Sequence, residues 1–152
     1  MKQATLCLLI KEDNILLAMK KRGFGVGRWN GVGGKVKDGE EIVDAMMREV
    51  KEEIGVDIIK AEKFGVFHFS FPHKPEFDQD VHLFVAKKWG GEPTESEEMM
   101  PKWFSFNEIP YDKMWADDKH WLGRVLKGEK LEADFVFKQG EIIDKHSIKK
   151  IN

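Results

Sequence analysis

Gly34-Lys35-Val36-Lys37-Asp38-Gly39-Glu40, then seven residues, then Arg48-Glu49-Val50-Lys51-Glu52-Glu53-Ile54-Gly55-Val56: the reading of this stretch decides the fold. Its second half carries three carboxylates, Glu49, Glu52 and Glu53, at positions i, i+3 and i+4. On a helix those positions share one face. Like charges packed together repel, so the arrangement costs stability unless cations occupy that face. A divalent magnesium ion carrying a polyphosphate is the natural occupant, since hard cations take oxygen ligands and Mg²⁺ is commonly shared between carboxylates and phosphates.

The pattern around the acids predicts the helix itself. Asp38 is placed to cap its N-terminus, with Glu41 three residues on completing a capping box. Val43, Met46, Met47, Val50 and Ile54 recur at helical spacing and predict the buried face. Gly55 supplies a C-terminal stop. At about 100° per residue, the three glutamates fall on an arc beside the apolar stripe, at the margin of the core. The alternative is a charged face that is simply solvated.

Outward from this helix the chain reads as strands. Thr5–Ile10 and Ile15–Lys20 are strand-like, with Lys11-Glu12-Asp13-Asn14 as a hairpin turn. Residues 22–34 are glycine-rich and predict a loop with a short strand. Val56–Phe71, Asp80–Trp89, Lys102–Phe106 and Leu131–Phe137 predict further strands. In the first of these, Phe67, Phe69 and Phe71 alternate with Val66, His68 and Ser70, which gives one aromatic face. Asp117–Lys127 predicts a second amphipathic helix with Trp121, Leu122, Val125 and Leu126 inward, ended by Gly128. The segment after it closes on a charged tail. Strands mixed with two separated helices predict an α/β fold, a mixed sheet flanked by helices, in a single domain over residues 1–152.

Composition narrows the function classes. The chain has 152 residues, enough for one domain with a real core. Its 25 basic and 27 acidic residues give a net charge of −2, which offers no broad electrostatic footprint for DNA, RNA or an anionic membrane. No apolar run approaches the ~18 residues of a membrane span. Residues 1–10 read as a buried strand, since no small-residue cleavage site follows. The lone Cys7 makes neither an intramolecular disulfide nor a cysteine metal cage, and a reducing cytoplasm is the expected home. His68, His82 and His120 show no metal-ligand spacing and read as strand or surface histidines.

The Gly34–Val56 stretch resembles the signature of the Nudix hydrolases: Gly, five residues, Glu, seven residues, then Arg-Glu-apolar-x-Glu-Glu-x-Gly-apolar. All seven fixed positions are met, a coincidence expected on the order of once per 10⁸ start points at ordinary residue frequencies. The resemblance implies an α/β/α sandwich with a mixed β-sheet, and cleavage of a nucleoside diphosphate linked to another group with Mg²⁺, or Mn²⁺ in its place. It implies Glu49 and Glu53 as principal metal ligands, Glu52 as a further ligand or as the holder of a water on the metal, and the Gly34 carbonyl as another ligand. Glu98 matches a position that supplies an extra ligating carboxylate in similar proteins; by residue type alone it is a solvated loop charge. Arg48 and Glu40 are implied to brace the loop against the helix, and Lys20 and Lys35 are candidates for phosphate contact.

Met19–Gly25, Gly27–Gly31, Gly33–Val36 and Met114–Asp118 extend the resemblance to the oxidised purine nucleoside triphosphatases within that family. These convert 8-oxo-dGTP, and often 2-hydroxy-dATP, to the monophosphate and pyrophosphate. The implied base pocket has Trp115 for stacking, Asp117 and Asp118 for the purine edge, Asn30 for a further hydrogen bond, and Phe24, Phe69 and Phe71 as apolar walls. Two adjacent carboxylates beside an indole are not expected to ionise together, so one is expected to stay protonated near neutral pH. On residue type alone the two aspartates equally suit a helix cap, and Trp115 and the phenylalanines suit a core. Trp29 reads as packing. The chain departs from that pattern at Ala116, where proline is usual, at Gln79, where methionine is usual, and in a Pro72–Gln79 loop one residue longer. The alternatives are a related enzyme for O6-methyl-dGTP, dinucleoside polyphosphates or capped RNA, or a catalytically silent nucleotide-binding protein. A monomer is expected.

Overall fold

β1 (Lys2–Lys11) and β2 (Asn14–Lys20) form the hairpin, turned through Glu12 and Asp13, with Glu12 in the left-handed region at φ 56°. The computed structural model describes all 152 residues, Met1–Asn152. After the glycine-rich loop come β3 (Trp29–Asn30), helix α1 (Ile42–Ile54), β4 (Asp57–Ser70), β5 (Gln79–Gly90), β6 (Met99–Ser105), helix α2 (Asp118–Leu126), β7 (Leu131–Lys138) and β8 (Ile142–Lys150). One eight-stranded sheet runs in the order β3-β2-β1-β5-β4-β7-β8, with β6 paired on β2. It is mixed: β1 with β5 and β4 with β7 are parallel, and the other pairs antiparallel.

Strand alternation sends successive residues to opposite faces, and each face carries a helix. Met46, Val50 and Ile54 of α1 pack with Cys7, Leu9, Leu16, Val32 and Phe84. Trp121, Leu122 and Val125 of α2 pack with Leu8, Leu17, Phe67, Leu83 and Phe135 on the other side. The expected mixed sheet between helices is thus observed, and no helix is long and apolar enough to cross a membrane. Two isolated bridges, Ala4 with Lys35 and Cys7 with Val32, tie the loop before α1 to β1.

Three expectations require correction. Asp38 and Glu41 form no capping box: α1 starts at Ile42, Glu41 occupies the N-cap position, and no side chain caps it. Glu40 closes that turn instead, accepting from the Lys37 N–H at 3.0 Å while Arg48 holds its other oxygen. Val43 has the phase of the buried face but lies in the first turn and is 47% exposed; Ala45 is buried instead. The charged tail is a strand, β8, paired antiparallel with β7. It is an edge strand exposed along most of its length, so burial imposed no alternation that the sequence could reveal.

Candidate active site

Arg48 is the hub of the acidic ridge on α1. Its Nε donates to Glu40 Oε2 at 2.8 Å and its Nη2 to Glu40 Oε1 at 3.0 Å, a two-pronged pair. Nη2 also donates to the Lys35 carbonyl at 3.0 Å, and Nη1 to Glu49 Oε1 at 3.0 Å and Glu52 Oε2 at 3.2 Å. One guanidinium therefore ties the loop to the helix. The Arg48 hydrogen bond holds the Glu40 carboxyl down at about 2, and Arg48 itself is pushed further up in turn.

The three glutamates differ in exposure as helical phase requires. The Glu49 side chain is 13% exposed and that of Glu52 54%. Glu53 is intermediate, but its Oε2 is buried without a hydrogen-bond partner. Burial raises the Glu53 pKa, and Glu49 and Glu98 nearby push the same way. No three acidic, histidine or cysteine side chains converge into a closed cage, because Glu49 and Glu52 lean on Arg48.

Gly34 lies directly against the ridge. A β-carbon there would stand 2.4 Å from the Glu49 carboxyl carbon, so any side chain at this position would displace that carboxylate. The Gly34 carbonyl accepts from the Thr5 N–H at 2.8 Å and, more loosely, from the Thr5 hydroxyl at 3.5 Å. Glu98, on the loop before β6, is paired with Arg22 through Nε at 2.7 Å, and this lowers its pKa. The chemistry of the donor set, all oxygen, suits a hard divalent cation: neighbouring carboxylates, an unpartnered buried oxygen on Glu53 and a backbone carbonyl.

Beyond Gly34 a cavity of about 370 Å³ opens on the α2 side of the sheet. Asn30, Trp115, Asp117, Asp118, Phe24, Phe69, Phe71, Lys20 and Lys35 all line it. Gly34 lines it too, so acid ridge and cavity adjoin. Asn30 Oδ1 accepts from the Gly31 N–H at 2.9 Å, and no partner takes its amide N–H groups.

The aspartate pair is buried, at 4% exposure for Asp117 and 2% for Asp118. Neither caps α2: Asp117 makes no side-chain cap and instead accepts from Trp121 Nε1 at 2.8 Å. Asp118 Oδ2 has no partner. Burial raises Asp117 to about 6. Burial and the Asp117 charge together raise Asp118 well above the ordinary carboxylate range. Burial and the repulsion between adjacent carboxylates both disfavour ionising the two together, and a proton held on the pair would let it present both a donor and an acceptor.

Residues 1–125 match the family model described as NUDIX domain. The chain belongs to the Nudix family. Among Nudix relatives it is 43% identical over 148 residues to the oxidized purine nucleoside triphosphate hydrolase of Mus musculus, covering 97% of this chain and 94% of that one. It is 42% identical over 150 residues to the protein of the same name from Danio rerio, covering 99% and 96%. Its fold matches the MutT protein of Bacillus halodurans at a TM-score of 0.85, with 25% identity and 98% of both chains covered.

Sequence reasoning missed other residues of this Nudix cavity. Phe77, Val81, Met99 and Phe137 line it. Phe137 lies past the part matched by the family model; its signal was the alternation of Leu131, Ala133, Phe135 and Phe137, which identified a strand but not a pocket wall. Arg28 lines it as well, and Gln79 places an amide in a mostly apolar wall. The histidines lie elsewhere: His68 is held between Asp80 at 2.6 Å and Glu132 at 3.2 Å, and His120 packs on His146. Trp29 is buried against Phe104.

Proposed function

We propose that this chain hydrolyses oxidised purine nucleoside triphosphates, 8-oxo-dGTP foremost and 2-hydroxy-dATP as a second substrate, to the monophosphate and pyrophosphate. The observation that carries this reading is the buried Asp117–Asp118 pair, one oxygen unpartnered, facing an aromatic cavity that adjoins three clustered glutamates. The mouse and zebrafish relatives, named for this activity, support it.

A purine enters between Trp115 and the phenylalanines, where stacking is worth roughly 1–3 kcal/mol. The half-protonated pair meets its polar edge. An ionised carboxylate accepts from N1–H and an exocyclic amine, while the protonated partner donates to O6. Moving the proton between the two carboxyls exchanges donor and acceptor, which suits a hydroxyadenine in the same site. An undamaged purine that lacks the matching group leaves a buried carboxyl unpaired, and this is the expensive kind of mismatch.

The triphosphate then runs past Lys20 toward the ridge. Glu49, Glu53, Glu52, the Gly34 carbonyl and Glu98 would hold Mg²⁺, with Mn²⁺ as a substitute; Glu98 first has to leave Arg22. A bound divalent ion supplies charge neutralisation and Lewis acidity at the phosphates. The elements of water add across the α–β bridge: a new P–O bond forms, the bridging bond breaks, and pyrophosphate departs. Arg48 keeps the loop carbonyl at Lys35 and the carboxylates in register. We assign the whole of 1–152 to one domain, monomeric and cytoplasmic, serving to cleanse the nucleotide pool. Neither nucleic acid nor membrane is a partner in this reading.

Steady-state assays over a nucleotide panel test it. The highest kcat/KM is expected for 8-oxo-dGTP; equal or better turnover of dGTP, O6-methyl-dGTP or a dinucleoside polyphosphate overturns it. Asp117→Asn should alter the ratio between oxidised purines more than it alters hydrolysis itself.

A further inference from the structure

Arg28 and Glu141 have no role in the reading above, yet they meet at the cavity mouth. The Arg28 guanidinium carbon lies 4.3 Å from the centroid of the Trp115 ring, and its Nη2 is ion-paired with Glu141. Arg28 follows the glycine loop; Glu141 sits in the turn between β7 and β8 with φ 60°, unusual for a residue other than glycine. The same loop touches the indole a second time. A β-carbon at Gly25, where φ is 85°, would lie 3.4 Å from two Trp115 ring atoms. Phe24 packs on the indole at 5.1 Å between centroids, and the edge of Phe137 meets it at 6.1 Å.

Trp115 itself belongs to none of the regular elements that build the sheet and helices. It lies between Met114 and α2, where no ladder of backbone hydrogen bonds fixes its plane. Its backbone is tied only by the Asp118 N–H to its carbonyl at 3.1 Å, and its indole is flanked by Arg28, Phe24 and Phe137. We propose that Glu141 and Arg28 form a positioning relay: the carboxylate of the β7–β8 turn holds the guanidinium, and the guanidinium, lying over the indole, fixes Trp115 in the attitude needed to stack on a purine. A planar guanidinium suits this better than an ammonium, because it stacks on a ring while its edge still donates to a carboxylate. Holding the ring before the base arrives removes an ordering cost from binding. Glu141 lies beyond the residues matched by the family model, so the last hairpin would tune base affinity in a chain whose ridge works without it.

This rests on the purine reading of the cavity, and the test separates the two. Calorimetric binding of 8-oxo-dGMP, which needs no turnover, is measured on the wild type, Arg28→Ala, Arg28→Lys, Glu141→Ala and the Arg28→Ala/Glu141→Ala double variant, with KM and kcat for the triphosphate alongside. Arg28→Ala is expected to weaken binding about 2- to 30-fold, with the loss falling on KM rather than kcat. Arg28→Lys recovers only part of this. Glu141→Ala weakens binding less, and the double variant is no weaker than Arg28→Ala alone, since Glu141 acts through Arg28. Unchanged or tighter binding by Arg28→Ala, or additive losses in the double variant, overturns the relay. A wild type that does not bind 8-oxo-dGMP overturns the purine reading instead. If Arg28→Ala does not fold, Arg28→Lys and Glu141→Ala decide the matter.

Discussion

Glu49, Glu52 and Glu53 come from little more than one turn of a single helix, whereas the cavity beside them draws Asn30, Phe71, Trp115 with Asp118, and Phe137 from four separate stretches of chain. The ridge is charged, partly exposed and braced by one arginine. The cavity is largely apolar, and its two carboxyls are buried with one oxygen unpaired. In the proposed reading the ridge confronts the part every nucleotide shares, and the cavity the part that differs, so that chemistry and selectivity would fall to structures that can be disturbed one at a time.

If that division holds, the largest effect comes from the ridge. Glu53→Gln should lower kcat by about 10²- to 10⁴-fold while leaving 8-oxo-dGMP affinity and thermal stability near wild type. A folded variant with full activity breaks the comparison outright. Arg48→Ala should cost about 10- to 100-fold in activity, partly recovered at high metal concentration, because three carboxylates and a loop carbonyl lose their common donor. A metal titration followed by activity reads this directly. Asp118→Asn acts on the other side. It should change the preference between 8-oxo-dGTP and dGTP by about tenfold or more and leave the metal requirement as it was.

The smallest effect is one of stability and pH. Both aspartates are raised in the folded state, so folding takes up protons between the unfolded value near 4 and the folded one. Their contribution is complete below about pH 4 and is lost as pH rises through about 6 for Asp117 and through the likewise raised range of Asp118. Urea unfolding from pH 5 to 8 should show the wild type losing more stability than Asp118→Asn, which keeps only the Asp117 proton to lose. Parallel curves for the two proteins contradict the buried-pair assignment.

The two regions also differed in how far the sequence disclosed them. The ridge was readable because its logic is local: helical spacing alone places three acids beside an apolar stripe, and the structure keeps them there. Trp115, Asp117 and Asp118 were recognisable only through the resemblance; by residue type the aspartates suited a helix cap, and burial with a bond to Trp121 is what separates the readings. Phe137 reaches the cavity only because β7 lies parallel beside β4, with Phe69 opposite Phe135, a pairing of distant segments that no window of sequence contains. The misplaced helix cap has the opposite cause. Arg48, eight residues away, captures Glu40 and rearranges a turn that local rules assigned to Asp38.

Ala4, Leu6, Leu8 and Ile10 of β1 look toward the α2 layer, while Thr5, Cys7 and Leu9 look the other way, with the Thr5 N–H bonded to Gly34. A single ribbon of backbone is therefore a party wall between two rooms. Substitutions on one side can be repaired within that room. One residue inserted into the wall would exchange its two linings along the remaining length and spoil both rooms at a stroke, whereas two would restore the sidedness.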